Sequence, residues 1–481
     1  MLNKKNNYQK LSLAFSSLCL FFVLFSNCQP QDEILLEGEA VTLRFSADTL
    51  TFDTLFTTLG STTRRLAIYN PENKAVRIKK ISLNQDAAER FELIINGRES
   101  NQISDIVVRG KDSILIFAKV TLNPQDQDLP FLVEAKLEIA TELNTQFVPI
   151  TAWGQQANFL KDSVLACQNG LIRWNSFRPY VLLGDVLVPE GCTLEIEPNT
   201  KIYAFNGKGL LVAGSLQTFG SAENPIIFTS LRQDGSFQNA AGQWLGLIFG
   251  DKSSGNHLRY TQIRNAIYGI RFATPDADEN IDLKIENALV ENMAEIGIYC
   301  LSSDVQIQNT VVNNCLNRTL SLSAGGNYKL YHNTFANYSF TFFRDAPSIE
   351  FSNFIEFVDS DNNLQRLVEN FKVDLKNNIF WGNLPEEFIF YTQPNADFLI
   401  QSQNNLFKTK ENTTFENTEN FNNLFNQDPK FINPAAQDFA LDSLSPALNK
   451  ALPLDFIFTD FLGKPRPSNP DIGALEREAD E

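Results

Sequence analysis

The sequence predicts an all-β protein, a right-handed parallel β-helix preceded by an immunoglobulin-like β-sandwich. Three observations lead there. An Asn-centred unit returns every 20 to 27 residues in the second half of the chain. Short runs alternating apolar and polar residues fill the region before it. Long apolar runs with a 3.6-residue period, which a helical solenoid needs, are not found. Right-handedness follows from the general hand of crossovers between parallel strands.

Composition fits this class. Of 481 residues, 43% are hydrophobic, enough for a packed core and against global disorder. Phe is abundant at 40, whereas Met and His number 2 each. Asn is frequent and often doubled, as suits a chain with many turns. The net charge is -17, which opposes nucleic-acid binding and non-specific attraction to anionic surfaces.

Residues 1–27 read as an export signal rather than as structure. Lys4, Lys5 and Lys10 form a positive start, and residues 11–25 form an apolar stretch too short for an ordinary membrane span. Phe25-Ser26-Asn27-Cys28 resembles a lipobox, with Phe25 where Leu is usual and Asn27 where a smaller residue is usual. The resemblance implies cleavage before Cys28 and its diacylation, an anchor of two acyl chains. Loss of the leader removes three Lys and no acid, leaving 37 basic against 57 acidic residues. Residues 28–40 are a linker. Its start, Gln29-Pro30-Gln31-Asp32-Glu33, resembles the surface-export signal of Bacteroidetes lipoproteins, which implies an outer-membrane protein facing the medium.

Residues 41–157 carry the alternating runs, among them Arg65-Leu66-Ala67-Ile68-Tyr69, Phe91-Glu92-Leu93-Ile94-Ile95 and Ala135-Lys136-Leu137-Glu138-Ile139. Alternation indicates antiparallel strands with one dry face. Asn70-Pro71-Glu72-Asn73 and Asn96-Gly97 punctuate them as turns. About seven strands in this length suit a sandwich. The segment is also similar to the immunoglobulin-like modules that follow lipoprotein anchors in Bacteroidetes. A spacer between membrane and solenoid is its expected role.

Residues 158–427 hold the repeat. Asn287, Asn309, Asn333, Asn353, Asn378 and Asn405 each stand two residues before an apolar one: Leu289, Val311, Phe335, Ile355, Phe380 and Phe407. Thr261 and Ile263 fit the same slot one coil earlier. Stacked coils would bring the six Asn about 4.8 Å apart as a hydrogen-bonded ladder, with their partners inside the tube.

Two stretches add a resemblance. Val186-Leu187-Val188-Pro189-Glu190-Gly191, Leu194-Glu195-Ile196-Glu197-Pro198 and Asn224-Pro225-Ile226-Ile227-Phe228 are similar to right-handed parallel β-helix repeat proteins. Residues 428–481 hold Asp428-Pro429-Lys430-Phe431, Ser445-Pro446-Ala447-Leu448, Asp460-Phe461-Leu462-Gly463-Lys464-Pro465-Arg466-Pro467 and Asp471-Ile472-Gly473-Ala474-Leu475. These resemble the terminal segment of choice-of-anchor Q β-helix proteins. The segment is expected to cap the open end of the solenoid.

Chemistry is harder to read. Cys167, Cys192, Cys300 and Cys315 permit three disulfide pairings or buried thiols, and no CxxC pattern points to a metal. Arg264 and Arg271 flank a coil ahead of an acidic loop. There Asp276, Asp278 and Asn280 have calcium-loop spacing, but Ile281 replaces the required Gly and Asn287 the required acid. Asp359, Asp361 and Asn363 fail likewise, so no cofactor is assigned, with calcium at Asp276 and Asp278 the weak alternative. His257 and His332 read as turn or surface residues, and Trp381 and Tyr391 as coil-packing aromatics. No clustered set of Lys, Arg or His with acids is visible, and no catalytic residue is assigned. The sequence therefore favours a surface platform that binds glycan or a surface protein; the alternative is a polysaccharide lyase or related enzyme working in a β-helix groove.

Overall fold

The structure, a computed structural model, describes residues 34–57, 59–84, 89–123, 131–273, 278, 280–340, 342–359, 361–415 and 421–477. Cys28, the export signal and Asp276 lie outside these residues. The chain forms two compact units, divided between Gln155 and Gln156.

The first unit is a sandwich of two five-stranded sheets. One orders Arg44–Phe45, Arg64–Tyr69, Ser113–Val120, Phe91–Ile95 and Arg98–Glu99. The other orders Leu50–Phe56, Thr145–Gln155, Phe131–Ala140, Val76–Leu83 and Gln102–Val108. Neighbours pair antiparallel except Leu50–Phe56 with Thr145–Gln155, which are parallel. The alternation does what it predicts. In Phe91–Ile95 the residues Phe91, Leu93 and Ile95 are buried while Glu92 and Ile94 face out. Asn96 and Gly97 both have positive φ, 47° and 79°, and close the hairpin into Arg98–Glu99. Asn70 is buried because its turn consumes its amide: Nδ2 donates to the carbonyls of Lys74, Val108 and Arg109, and Oδ1 accepts from Glu72 N–H.

The second unit is a right-handed parallel β-helix. Each turn of chain lays one strand on each of three sheets. The first sheet stacks eleven strands from Asn158–Leu160 to Leu424–Phe425, all parallel. The second and third sheets meet along a bend that the long strands Ile296–Gln308 and Arg318–Tyr331 cross without a break. Because every rung pairs residue for residue with the next, like positions form files along the axis.

The interior file of the first sheet runs Phe228, Ile263, Val290, Val312, Phe335, Phe380, Phe407, Phe425. Its last four rings lie face to face at 5.2, 5.5 and 5.7 Å between centroids. The abundance of Phe thus has a place, since stacked rungs hold the rings in offset contact. Phe415 enters the tube above this stack, 4.1 Å from Phe407, and fills the interior at that end.

The Asn repeat resolves into two files, which corrects the single ladder. One is a hydrogen-bonded ladder of Asn333, Asn378, Asn405 and Asn423. Asn378 Oδ1 accepts from both N–H groups of Asn333, Asn405 Oδ1 from those of Asn378, and Asn423 Oδ1 from those of Asn405. The other file sits one residue earlier and holds Asn287, Asn309, His332, Asn377 and Asn404, all with φ between 48° and 61°. Each of these turns the chain from the third sheet to the first, which requires left-handed backbone that Asn tolerates. The offset of one residue matters because strand side chains alternate. Leu289 and Val311 consequently point outward instead of into the tube. Asn353 belongs to neither file. It precedes the hairpin Phe354–Val358 and Leu364–Val368, which also carries Ile355 out of the stack, and its amide binds the backbone of Gln393 and Ala396.

The C-terminal segment is also corrected: its described part runs along the flank of the solenoid. Phe431, Phe439, Leu441, Ala447, Ile472 and Ala474 pack on Val311, Ala336, Ile379 and Leu406 of the first sheet. The left-handed file holds it by its backbone. Asn404, Asn377, Asn309 and Asn287 donate side-chain N–H to the carbonyls of Lys450, Leu452, Thr459 and Asp460 at 2.7–2.8 Å. Gly473, at φ 106°, lies so close that an added Cβ would meet Ile379 Cδ1 at 2.8 Å.

Candidate functional site

The outer face of the third sheet collects the polar groups. In five successive rungs the triplets His257-Leu258-Arg259, Lys284-Ile285-Glu286, Gln306-Ile307-Gln308, Lys329-Leu330-Tyr331 and Asp374-Leu375-Lys376 lie in register. The middle residue of each is buried in the tube and its neighbours face out. The two outward files span about 19 Å along the axis at the usual rung spacing.

These groups are bonded to one another. Glu286 is the hub of the upper rungs, with His257 Nε2 at 2.6 Å, Lys284 Nζ at 2.5 Å and Gln308 Nε2 at 2.8 Å. Gln306 Nε2 donates on to Gln308 Oε1 at 2.8 Å. Burial opposes ionisation of Glu286, but hydrogen bonds and charge from His257 and Lys284 outweigh it and bring its pKa down to about 2. Two rungs on, Asp374 accepts from Tyr331 Oη at 2.8 Å and pairs with Lys376 at 2.7 Å. Burial and the Asp374 carboxylate push the Tyr331 phenol upward, so it keeps its proton. The ring of Phe456, from the C-terminal segment, stands 5.5 Å from that of Tyr331 and borders the strip.

Charge decides what such a surface can do. Over these rungs the two files carry Arg259, Lys284, Lys329 and Lys376 against Glu286 and Asp374. Arg259 and Lys329 have no carboxylate partner among the described residues. A locally positive strip thus stands on a chain of net charge -17. It can pair with carboxylates and hydrogen-bond hydroxyls along an extended ligand.

The other sequence candidates lie elsewhere. His332 is fully buried and structural: its Nε2 accepts from Asn377 and its Nδ1 faces Gly473 O. Asp278 is exposed and caps its own turn by accepting from Asn280 N–H. Asp359 does the same for Asp361 and Asn363. Arg264 pairs with Glu291, and Arg271 is exposed on the second sheet. Trp381 is buried under the C-terminal segment, with Lys408 over its ring. Tyr391 is half exposed on the second sheet. Cys167 and Cys192 are bonded to each other, while Cys300 and Cys315 are buried thiols. Among the described residues no group of three His, Cys, Asp or Glu could hold a metal.

The cluster that the sequence hid was present as a signal. Each polar–apolar–polar triplet directly precedes the left-handed residue of its turn: Tyr260, Asn287, Asn309, His332 and Asn377. Aligning the chain on that residue stacks the triplets; aligning on any Asn does not.

No family model and no curated protein matches the chain. Among solved structures, it is similar to pectate lyase Pel9A at 13% identity, covering 67% of this chain and 88% of that one, with a TM-score of 0.30. The chain is also similar to the periplasmic chaperone SfaE at 12% identity, covering 24% of this chain and 58% of that one, with a TM-score of 0.17. A family 123 glycoside hydrolase from Clostridium perfringens matches at 5% identity, covering 25% and 27%, TM-score 0.18. The chain thus spans less than two thirds of SfaE and of the hydrolase. The architecture rests on the strand registers, not on these likenesses.

Proposed function

We propose that this chain is an outer-membrane lipoprotein, anchored through Cys28 and displayed toward the medium, whose β-helix binds acidic polysaccharide along the third sheet. The leader, Cys28 and the acidic residues behind it support the anchor and its export. The observation that carries the binding reading is the strip itself, where Arg259 and Lys329 lie free of acids between amides, a phenol and two paired carboxylates. Rungs about 4.8 Å apart present these groups periodically to a periodic polymer. Binding is favoured over catalysis because two of the strip's titratable groups are already committed: Tyr331 holds its proton and His257 is engaged by Glu286.

The test is affinity electrophoresis and calorimetry with polygalacturonate and alginate, against neutral dextran. Binding to the acidic polymers that weakens with salt and falls at least tenfold in R259E/K329E is expected. Equal binding to dextran, or an unchanged double variant, overturns it. Appearance of the unsaturated-uronate chromophore during the assay would instead assign a lyase. Separately, C28S should move the protein from the membrane to the soluble fraction.

A further inference from the structure

A second surface carries an independent site. Between the outer face of the first sheet and residues 434–439 lies a cavity of about 390 Å³. Its wall includes Asn313, on the strand Val311–Cys315, which is 1% exposed. Among the described residues neither Oδ1 nor Nδ2 of Asn313 has a hydrogen-bond partner. A buried amide with no hydrogen bond is costly to keep, so its place in the wall of a cavity points to a polar occupant there. Asn314 lies beside it, positioned by donation from its Nδ2 to Asn292.

The same cavity is lined by aromatic rings. Tyr338 and Phe340 stack parallel with centroids 5.5 Å apart, and the Phe439 ring lies 6.4 Å from Tyr338 at 24°. Phe340 is 57% exposed. Among the described residues no charged side chain lines the cavity. Flat rings together with neutral amides match a molecule with an apolar ring face and a rim of hydroxyls.

We propose that this cavity binds one neutral sugar residue, its C–H face on the exposed Phe340 ring, which Tyr338 backs, and its hydroxyls on the Asn313 amide. The Asn313 amide supplies a donor and an acceptor to the sugar, and the volume admits a single hexose unit. The site is on a different sheet from the cationic strip and does not depend on it.

The experiment uses the full chain with glucose, galactose, mannose and N-acetylglucosamine and their short oligomers, read by saturation-transfer NMR and calorimetry. At least one is expected to bind saturably. Asn313→Leu keeps the volume and removes the amide; it should weaken binding about tenfold while leaving stability equal or raised. Phe340→Ala, at an exposed position, should weaken binding several-fold without unfolding the protein. R259E/K329E should leave sugar binding unchanged, which separates this site from the strip. If none of the sugars binds, or if N313L lowers stability and leaves binding intact, the cavity is a water-filled structural void and the proposal fails.

Discussion

Asn333 donates both its backbone N–H and its side-chain N–H to a single atom, Asn378 Oδ1, each at 3.0 Å. Asn378 repeats the arrangement on Asn405, and its own Nδ2 caps Leu330 O at 2.8 Å. All three residues are fully buried. Replacing Asn378 with Ala strands the two donors of Asn333 and the carbonyl of Leu330. The expected loss is about 2–4 kcal/mol in urea denaturation. Asn378→Asp should cost more, because a carboxylate cannot donate to Leu330 O and would be buried near other acceptors.

His332 occupies a left-handed position that Asn fills in neighbouring turns, at φ 53°. Burial, with the Arg466 charge, holds its imidazole neutral and well below the usual histidine range. The unfolded chain takes up a proton below about pH 6.5 that the folded chain refuses. Stability is therefore lost as pH falls below that value. His332→Asn should fold and should lose less stability than the parent between about pH 7 and 5 in parallel denaturation curves. Identical pH dependence of the two proteins would remove His332 from the account.

Arg344 and Glu387 form a bidentate pair, both contacts at 2.7 Å, with side chains 1% and 0% exposed. Glu387 also accepts from the N–H groups of Ser348 and Leu384, and Arg344 donates to Asn337 O and Ala346 O. Arg344→Met leaves the carboxylate buried and uncompensated, an expected cost of about 3–5 kcal/mol. Arg344→Lys keeps the charge but cannot bridge both oxygens, and should fall between the parent and the Met variant.

Cys167 and Cys192 join the first two turns of the solenoid across 25 residues. Removing the bond in C167S/C192S should lower stability by about 3 kcal/mol. Burial pushes the Cys300 thiol upward and that of Cys315 up to about 12. Alkylating reagents should therefore label neither until the β-helix unfolds, which mass spectrometry under graded denaturant would follow.

Much of the fold was legible because β-helix geometry writes itself locally. A turn from the third sheet to the first needs one left-handed residue, so Asn recurs, and the next residue can join the ladder, so Asn doubles at Asn377-Asn378 and Asn404-Asn405. Where the pair is incomplete, spacing misleads. At Asn287 and Asn309 the second place holds Ala288 and Thr310, and counting from the wrong member reverses which side chains face the tube. Asn353 shares the spacing by accident of the hairpin beside it.

The sequence by itself determined the strand alternation, the coil period and the positions where the backbone must turn left-handed, because these depend on residues near one another in the chain. Only the tertiary structure decided which polar residues become neighbours. His257, Lys284, Tyr331 and Lys376 share one face, and Asn313 lines one cavity with Tyr338 and Phe439, because rungs separated by twenty or more residues stack at the distance of one hydrogen bond. Contacts of that range depend on register summed over whole turns, which no local pattern carries.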